Sequence, residues 1–353
     1  MSSVKKLLKK CRDLCSYANK SNFFYAEFKN QQWLQLGIQE SEFLSLPHSD
    51  TETRWNSTYY LVERFLKLQS AIECTLVSKI GKDTNIQFNQ SEWDLMEKIR
   101  NTLSIFEKST KLLQFADASI SDYLPVVTTI MRDLENETSA DIGVKTMKRS
   151  LLENMKNRFK DIEFQNELLL STYLNPKYKH HFFINPETKG RAQNLLVKLI
   201  SERLDNGEKS DTSKDLMNSS ETSVHETSLE KKMRAIIKTN SNSNEMFEND
   251  MRSQIMDCLL KYEKAPTIGL KKSSLEYWKK RASATERQCT EIKCQLAKNF
   301  LTPPPSSCDV ERLFSTTSHI LNKERNRLLP QNAEKLLFVH ENISRVNYNY
   351  SFK

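Results

Sequence analysis

Glycine is scarce, with six in a chain of 353 residues. Tight turns favour glycine and sheet proteins need many of them, so this scarcity argues for helices joined by polar loops. No run approaches the roughly 18 consecutive apolar residues of a membrane-spanning helix, and the first ten residues lack the apolar block of a secretory signal. There is no even, closely spaced cysteine set either. The seven cysteines, Cys11, Cys15, Cys74, Cys258, Cys289, Cys294 and Cys308, are scattered. They are expected to be free thiols in a reducing compartment, cytosol or nucleus. Charge of one sign is also wanting. With 53 basic against 45 acidic residues, the net charge of +8 permits contact with a polyanion without requiring it. The length suits two or three domains, and hydrophobic residues at 38% allow a core that is not large.

What is present has helical period. Val4, Leu7, Leu8, Cys11, Leu14 and Cys15 form one stripe over residues 4–15, surrounded by Lys5, Lys6, Lys9, Lys10 and Arg12. Such a basic ring can meet DNA or a membrane surface, but a solvated face is the plainer reading. An aromatic group follows, Phe23, Phe24, Tyr25, Phe28 and Trp33, which suits packing better than base stacking. Phe43 to Pro47 reads as a strand or extended segment. Leu61, Phe65 and Leu68 share a helical face, as do Trp93, Met96, Ile99, Leu103 and Phe106. Leu124, Val127, Ile130, Met131 and Leu134 form another, with Pro125 near its first turn. Met147, Leu151, Met155 and Phe159 form a third among many basic residues.

Residues 205–250 are dominated by Ser, Thr, Asn, Glu and Lys. Few apolar residues offset the entropy of ordering, so a disordered linker is expected there. Beyond it, Met251 to Tyr262 resumes a helix. Candidate metal ligands are isolated: Cys11 and Cys15, Cys289 and Cys294, and the adjacent His180 and His181 each lack a second ligand pair. The two histidines are expected to diverge and to serve surface or packing roles. No metal, cofactor or small-molecule substrate is expected.

The most informative stretch is Thr302 to Asn342. Pro303, Pro304 and Pro305 bar a helix before them. Ser306 and Ser307 can cap the next one, and Asp309 and Glu311 suit its positive N-terminus. Val310, Leu313 and Phe314 recur on one face. The basic residues Lys323, Arg325 and Arg327 follow. Pro330 then opens a helix carrying Ala333, Leu336, Leu337 and His340 on one side.

This stretch resembles the C-terminal dimerisation region of hAT-family transposases and their domesticated zinc-finger BED-domain descendants. The matching residues are Pro303 to Ser307, ERLFS (Glu311 to Ser315), ERNRLLP (Glu324 to Pro330) and NAEKLLF (Asn332 to Phe338). TRWNSTY (Thr53 to Tyr59) matches a second motif of the family. LNPKYK (Leu174 to Lys179) resembles LDPRYK with Asn175 in place of Asp, and Glu276 to Trp278 match an EYW landmark. The resemblance implies a helical insertion in a ribonuclease-H-like domain, a nuclear setting, and association through Leu313, Phe314, Leu336, Leu337 and Val339. It makes Glu311 the third acidic residue of a DDE site and places Arg54 and Trp55 at distorted DNA. Without the resemblance, Glu311 is a first-turn carboxylate, Trp55 a core residue and Arg54 the partner of a carboxylate such as Glu52.

Catalysis of this kind needs three carboxylates around two metal ions. The residues before Thr51 read as helices and hold only Asp13 and Asp50, so Glu311 is expected to be vestigial and the chain a truncated, non-enzymatic copy. The fold class expected is mainly α: a helical insertion domain plus the residual C-terminal part of a ribonuclease-H-like domain, with few short strands. The boundaries expected are an N-terminal helical remnant at 1–50, a helical region at 51–204, the linker at 205–250 and the dimerisation region at 251–353. Itself or related transposase-derived proteins are the expected partners. DNA binding by a transposase remnant is the alternative, and no membrane partner is expected.

Overall fold

In a computed structural model, residues 3–47, 55–115, 117–136, 138, 142–211, 243–283, 288–320 and 328–343 are described. Among these residues the chain is helical and contains no strand, so the few short strands expected are not found there. No helix among them is long and apolar enough to cross a membrane. The elements in order are α1 (Ser3–Ala18), α2 (Asn22–Leu36), α3 (Trp55–Lys67), α4 (Gln69–Val77), α5 (Lys79–Lys82), α6 (Gln90–Gln114), α7 (Tyr123–Glu135) and α8 (Lys145–Arg158). There follow α9 (Asn166–Leu174), α10 (Thr188–Asp211), α11 (Ser243–Lys264), α12 (Ser274–Ser283), α13 (Gln288–Leu301), α14 (Cys308–Ile320) and α15 (Pro330–Asn342).

The chain divides into two compact units, residues 1–112 with 126–160, and residues 113–125 with 161–353. The boundaries expected at 50 and 204 do not separate them: residues 1–50 group with 51–112, and 161–204 group with α11 to α15. Helices α10 and α11 also reach into the expected linker; residues 212–242 lie outside the described residues.

The first unit is built on the stripes read from the sequence. Val4, Leu7, Cys11, Leu14 and Cys15 of α1 join Leu61, Phe65, Trp93, Met96 and Ile99 in one core. The basic ring of α1 is partly engaged, since Lys10 pairs with Glu92 at 2.7 Å. The aromatic group divides: Phe24 and Phe28 are buried, while Phe23 and Trp33 are exposed. Ser21 caps α2 by accepting from Phe24 N at 3.2 Å. Gly37 ends the helix in the left-handed region (φ +66°), which glycine reaches without a Cβ penalty.

The Phe43–Pro47 segment, expected as a strand or extended run, belongs to no helix or strand. Side chains satisfy its backbone instead. Buried Gln32 donates to Leu44 O (2.9 Å) and accepts from Leu44 N (3.1 Å), Arg64 donates to Ser45 O (3.0 Å), and Asn19 donates to Pro47 O (3.1 Å). A buried backbone group needs such a partner wherever no ladder supplies one.

The second unit has its own core. Leu169, Tyr173 and Leu174 of α9, Leu196 and Ile200 of α10, Ile255, Leu259 and Tyr262 of α11, Trp278 of α12, and Leu296 and Ala297 of α13 meet there. Trp278 donates its indole N–H to Leu174 O at 2.9 Å, and Tyr262 donates its hydroxyl to Tyr173 O at 3.0 Å. Such partners are required when an indole or phenol enters a core. The landmark Glu276–Trp278 is thus an anchor of the core.

LNPKYK turns inward here. Asn175 accepts from Lys177 N (3.0 Å) and Ser274 Oγ (2.8 Å) and donates to Ser121 Oγ (2.7 Å). The Tyr178 hydroxyl donates to Asp122 Oδ1 at 2.6 Å; burial first, then that carboxylate, push its pKa up. Lys179 is fully buried and adopts φ +52°. Its ammonium caps the C-terminal end of α11, donating to Tyr262 O (2.8 Å), Glu263 O (3.2 Å) and Ala265 O. The last carbonyls of a helix lack intrahelical donors, and a cation suits the negative end of the dipole. His180 and His181 do not diverge as expected. Their ring centroids lie 4.7 Å apart with planes 35° from parallel.

Candidate association surface

The approach to α14 follows from its residues. The proline run ends α13 at Leu301, and Pro303 O accepts from Ile120 N at 2.8 Å. Ser306 Oγ donates to Leu113 O and accepts from Cys308 N, both at 3.4 Å. The first helical bond runs from Glu311 N to Ser307 O at 2.9 Å. The entrance of α14 is therefore tied to residues 113–120 of its own unit.

Helices α14 and α15 pack against each other. Among the described residues neither contributes to the core cluster of the second unit, and Ala333 is the buried apolar residue of the pair. Phe314 is 66% exposed and Phe338 68% exposed; Val310, Leu336 and Val339 are about half exposed or more. Leu313 and Leu337 are half-buried. Full burial of one such side chain contributes about 1.5–3 kcal/mol. These helices therefore carry several uncollected increments on adjacent elements.

The five residues expected to associate are thus brought onto one pair of helices. The sequence reading missed Phe338 and left Val310 out of the contact set. Leu336 to Val339 form four consecutive apolar positions, each about 100° further round the helix. One face cannot hold all four, and that run was the available signal for a second apolar side.

Glu311 is exposed in the first turn of α14, where its carboxylate accepts from Ser307 Oγ at 3.0 Å. Among the described residues, no group of three or more His, Cys, Asp or Glu is placed to hold a metal ion. Arg54 lies outside the described residues. Trp55 opens α3, with its side chain outside the description, so neither can be set in a site. Lys323, Arg325 and Arg327 also lie outside it.

Residues 1–102 match the family described as the ZBED1 RNase-like helical domain. Residues 259–343, which include all of α14 and α15, match the hAT family C-terminal dimerisation region. Zinc finger BED domain-containing protein 4 of Homo sapiens is 23% identical over 308 residues, covering 85% of this chain and 24% of that protein. Zinc finger BED domain-containing protein 6 of Mus musculus is 22% identical over 378 residues, covering 99% of this chain and 36% of that protein. The chain is homologous to zinc finger BED domain-containing proteins 4 and 6. It is transposase-derived, carrying a helical domain and a dimerisation region of that lineage. It spans about a quarter to a third of the length of these relatives.

Proposed function

We propose that the chain acts by association and not by chemistry: it pairs with itself or with related transposase-derived proteins through α14 and α15. The apolar side chains that these helices leave outside the core carry this reading. The hAT dimerisation match over the same residues supports it. A surface of this kind on a soluble helix pair marks an interface when its residues are contiguous and large. Sedimentation equilibrium between 1 and 100 μM tests it. A mass of two or more chains that falls toward one on dilution is the expected result, and a strict monomer at the top of that range refutes it.

A non-catalytic role is proposed for Glu311 as well. Its carboxylate is solvent-exposed and bonded to Ser307, an arrangement suited to a helix start. Strand transfer on a DNA substrate is expected to be absent and unchanged by Glu311→Gln. Activity lost in that variant would overturn the assignment. A nuclear, DNA-associated setting is proposed from the zinc finger BED domains in the relatives' names. A fluorescently tagged chain concentrated in the nucleus, and lost to the cytosol when the related partner is removed, is the outcome this predicts.

A further inference from the structure

Helices α11 and α13 pack together beside the Tyr262–Trp278 ring pair, and four polar groups converge where they meet. Lys293 on α13 is 2% exposed. Its ammonium donates to Cys258 Sγ at 3.1 Å and to Cys258 O at 3.3 Å. It also lies 5.7 Å from the Tyr262 ring centroid and 5.9 Å from that of Trp278. Thr290 Oγ1 stands 3.6 Å from the same sulfur, and the Cys289 thiol hydrogen-bonds to it.

A buried ammonium is costly unless an anion compensates it. Among the described residues both hydrogen-bond acceptors of Lys293 belong to Cys258, and of the two only the sulfur can carry a charge. The Cys289 hydrogen bond holds the Cys258 thiol well below the usual range; burial opposes it, and the Lys293 charge adds to it. The same hydrogen bond, with burial, pushes Cys289 up. Both cysteines are half-buried, so a small reagent has access. Cys11 and Cys15 are closed in the first core, and burial pushes Cys11 up.

We propose that Cys258 is a peroxide-reactive thiolate and Cys289 its resolving thiol, so that α11 and α13 carry an oxidation-sensitive dithiol. Thiolates beside a cation and next to a second cysteine are the ones that oxidise first. Hydrogen peroxide is the oxidant. The Cys258 sulfur attacks one peroxide oxygen, the O–O bond breaks, and hydroxide leaves as Cys258 becomes a sulfenic acid. Cys289 gives up its proton, forms the S–S bond at Cys258 and expels the sulfenic oxygen as hydroxide. The two hydroxides take up two protons and become water. The two thiols lose two electrons and the peroxide gains them.

Site-resolved alkylation of the full, reduced chain tests this. At pH 6 an ordinary cysteine is thiolate to well under about 1%. Cys258 is expected to react with iodoacetamide there at least about tenfold faster than half-buried Cys74 or Cys308. Lys293→Met should remove at least about tenfold of that rate. Stoichiometric peroxide should yield a Cys258–Cys289 linked peptide by mass spectrometry, and Cys289→Ser should leave a Cys258 sulfenic acid that dimedone traps. The unmodified chain decides the matter even if Lys293→Met does not fold. Equal rates at Cys258 and Cys74 across pH 5.5–8.5, or peroxide treatment giving neither the linked peptide nor the dimedone adduct, would overturn the proposal.

Discussion

LNPKYK and the α14–α15 pair are two stretches where sequence motifs and structure can be compared residue by residue, and they send their side chains in opposite directions. In the first, Asn175, Tyr178 and Lys179 are buried and each polar group is matched to a partner within the second unit. In the second, the motif residues Phe314, Leu336 and Phe338 are left to solvent. A motif that ends in satisfied buried polar groups is a fold device. A motif that ends in exposed apolar groups points to something outside the fold. The comparison predicts a clean split: substitutions in LNPKYK lower stability, and substitutions on α14 and α15 weaken association at unchanged stability.

The largest effect is expected at Lys179. Lys179→Ala removes three charge-assisted hydrogen bonds and leaves the carbonyls of Tyr262, Glu263 and Ala265 without that donor. Bonds to a charged group contribute about 1.5–3 kcal/mol each and are not additive, so a loss of about 3 kcal/mol or more in urea unfolding is expected. Relief of the φ +52° backbone offsets little of it, since alanine is no better suited to that region. A loss below about 1 kcal/mol would show that the motif does not hold α11, and the split would fail from the inward side.

The outward side is tested by Phe314→Asp with Phe338→Asp. Both positions are exposed, so the fold should keep its unfolding midpoint. Two charges placed in an apolar contact should weaken association at least about 100-fold, or about 2.7 kcal/mol. A matching drop in monomer stability would mean that these rings pack within their own chain. A smaller effect is expected at Trp278→Phe, which forfeits the hydrogen bond to Leu174 O inside the core. About 1–2 kcal/mol of stability should go, with association intact.

The helical stripes were legible because a period of 3.6 needs only local sequence: Val4 to Cys15, apart from the half-buried Leu8, Trp93 to Leu103 and Leu124 to Leu134 are buried as their spacing requires. What was not legible is long-range. Nothing near Lys179 in sequence announces that its ammonium will sit on carbonyls 83 to 86 residues away. Nor does Cys258 announce Lys293, 35 residues on. The same limit explains His180 and His181. Adjacent side chains diverge on a regular helix or strand, but this segment is a run of turns, and its rings come together. The boundaries at 50 and 204 rested on motif and composition, while the compact units follow contacts that close over distant segments.

The smallest effect is expected at Glu263, the residue that joins the Lys179 cap to the rest of its unit. Its carboxylate accepts from Tyr173 Oη (2.6 Å) and Gln193 Nε2 (2.9 Å) and pairs with Lys189 at 2.8 Å. Burial pushes its pKa up, but the bonds from Lys189 and Tyr173 outweigh burial and hold it below the usual carboxylate range. The unfolded chain therefore takes up a proton here before the folded one does. Stability from this group is present above the ordinary glutamate pKa and is lost as pH falls through the folded value. Glu263→Gln should lower stability by about 1 kcal/mol at pH 7, and the gap should narrow as urea unfolding is repeated at pH values below the ordinary glutamate pKa. A gap of constant size would mean that the side chain's shape matters and its charge does not. The inward region would then be held by packing and neutral hydrogen bonds, and the contrast with α14 and α15 would narrow to apolar groups buried against apolar groups exposed.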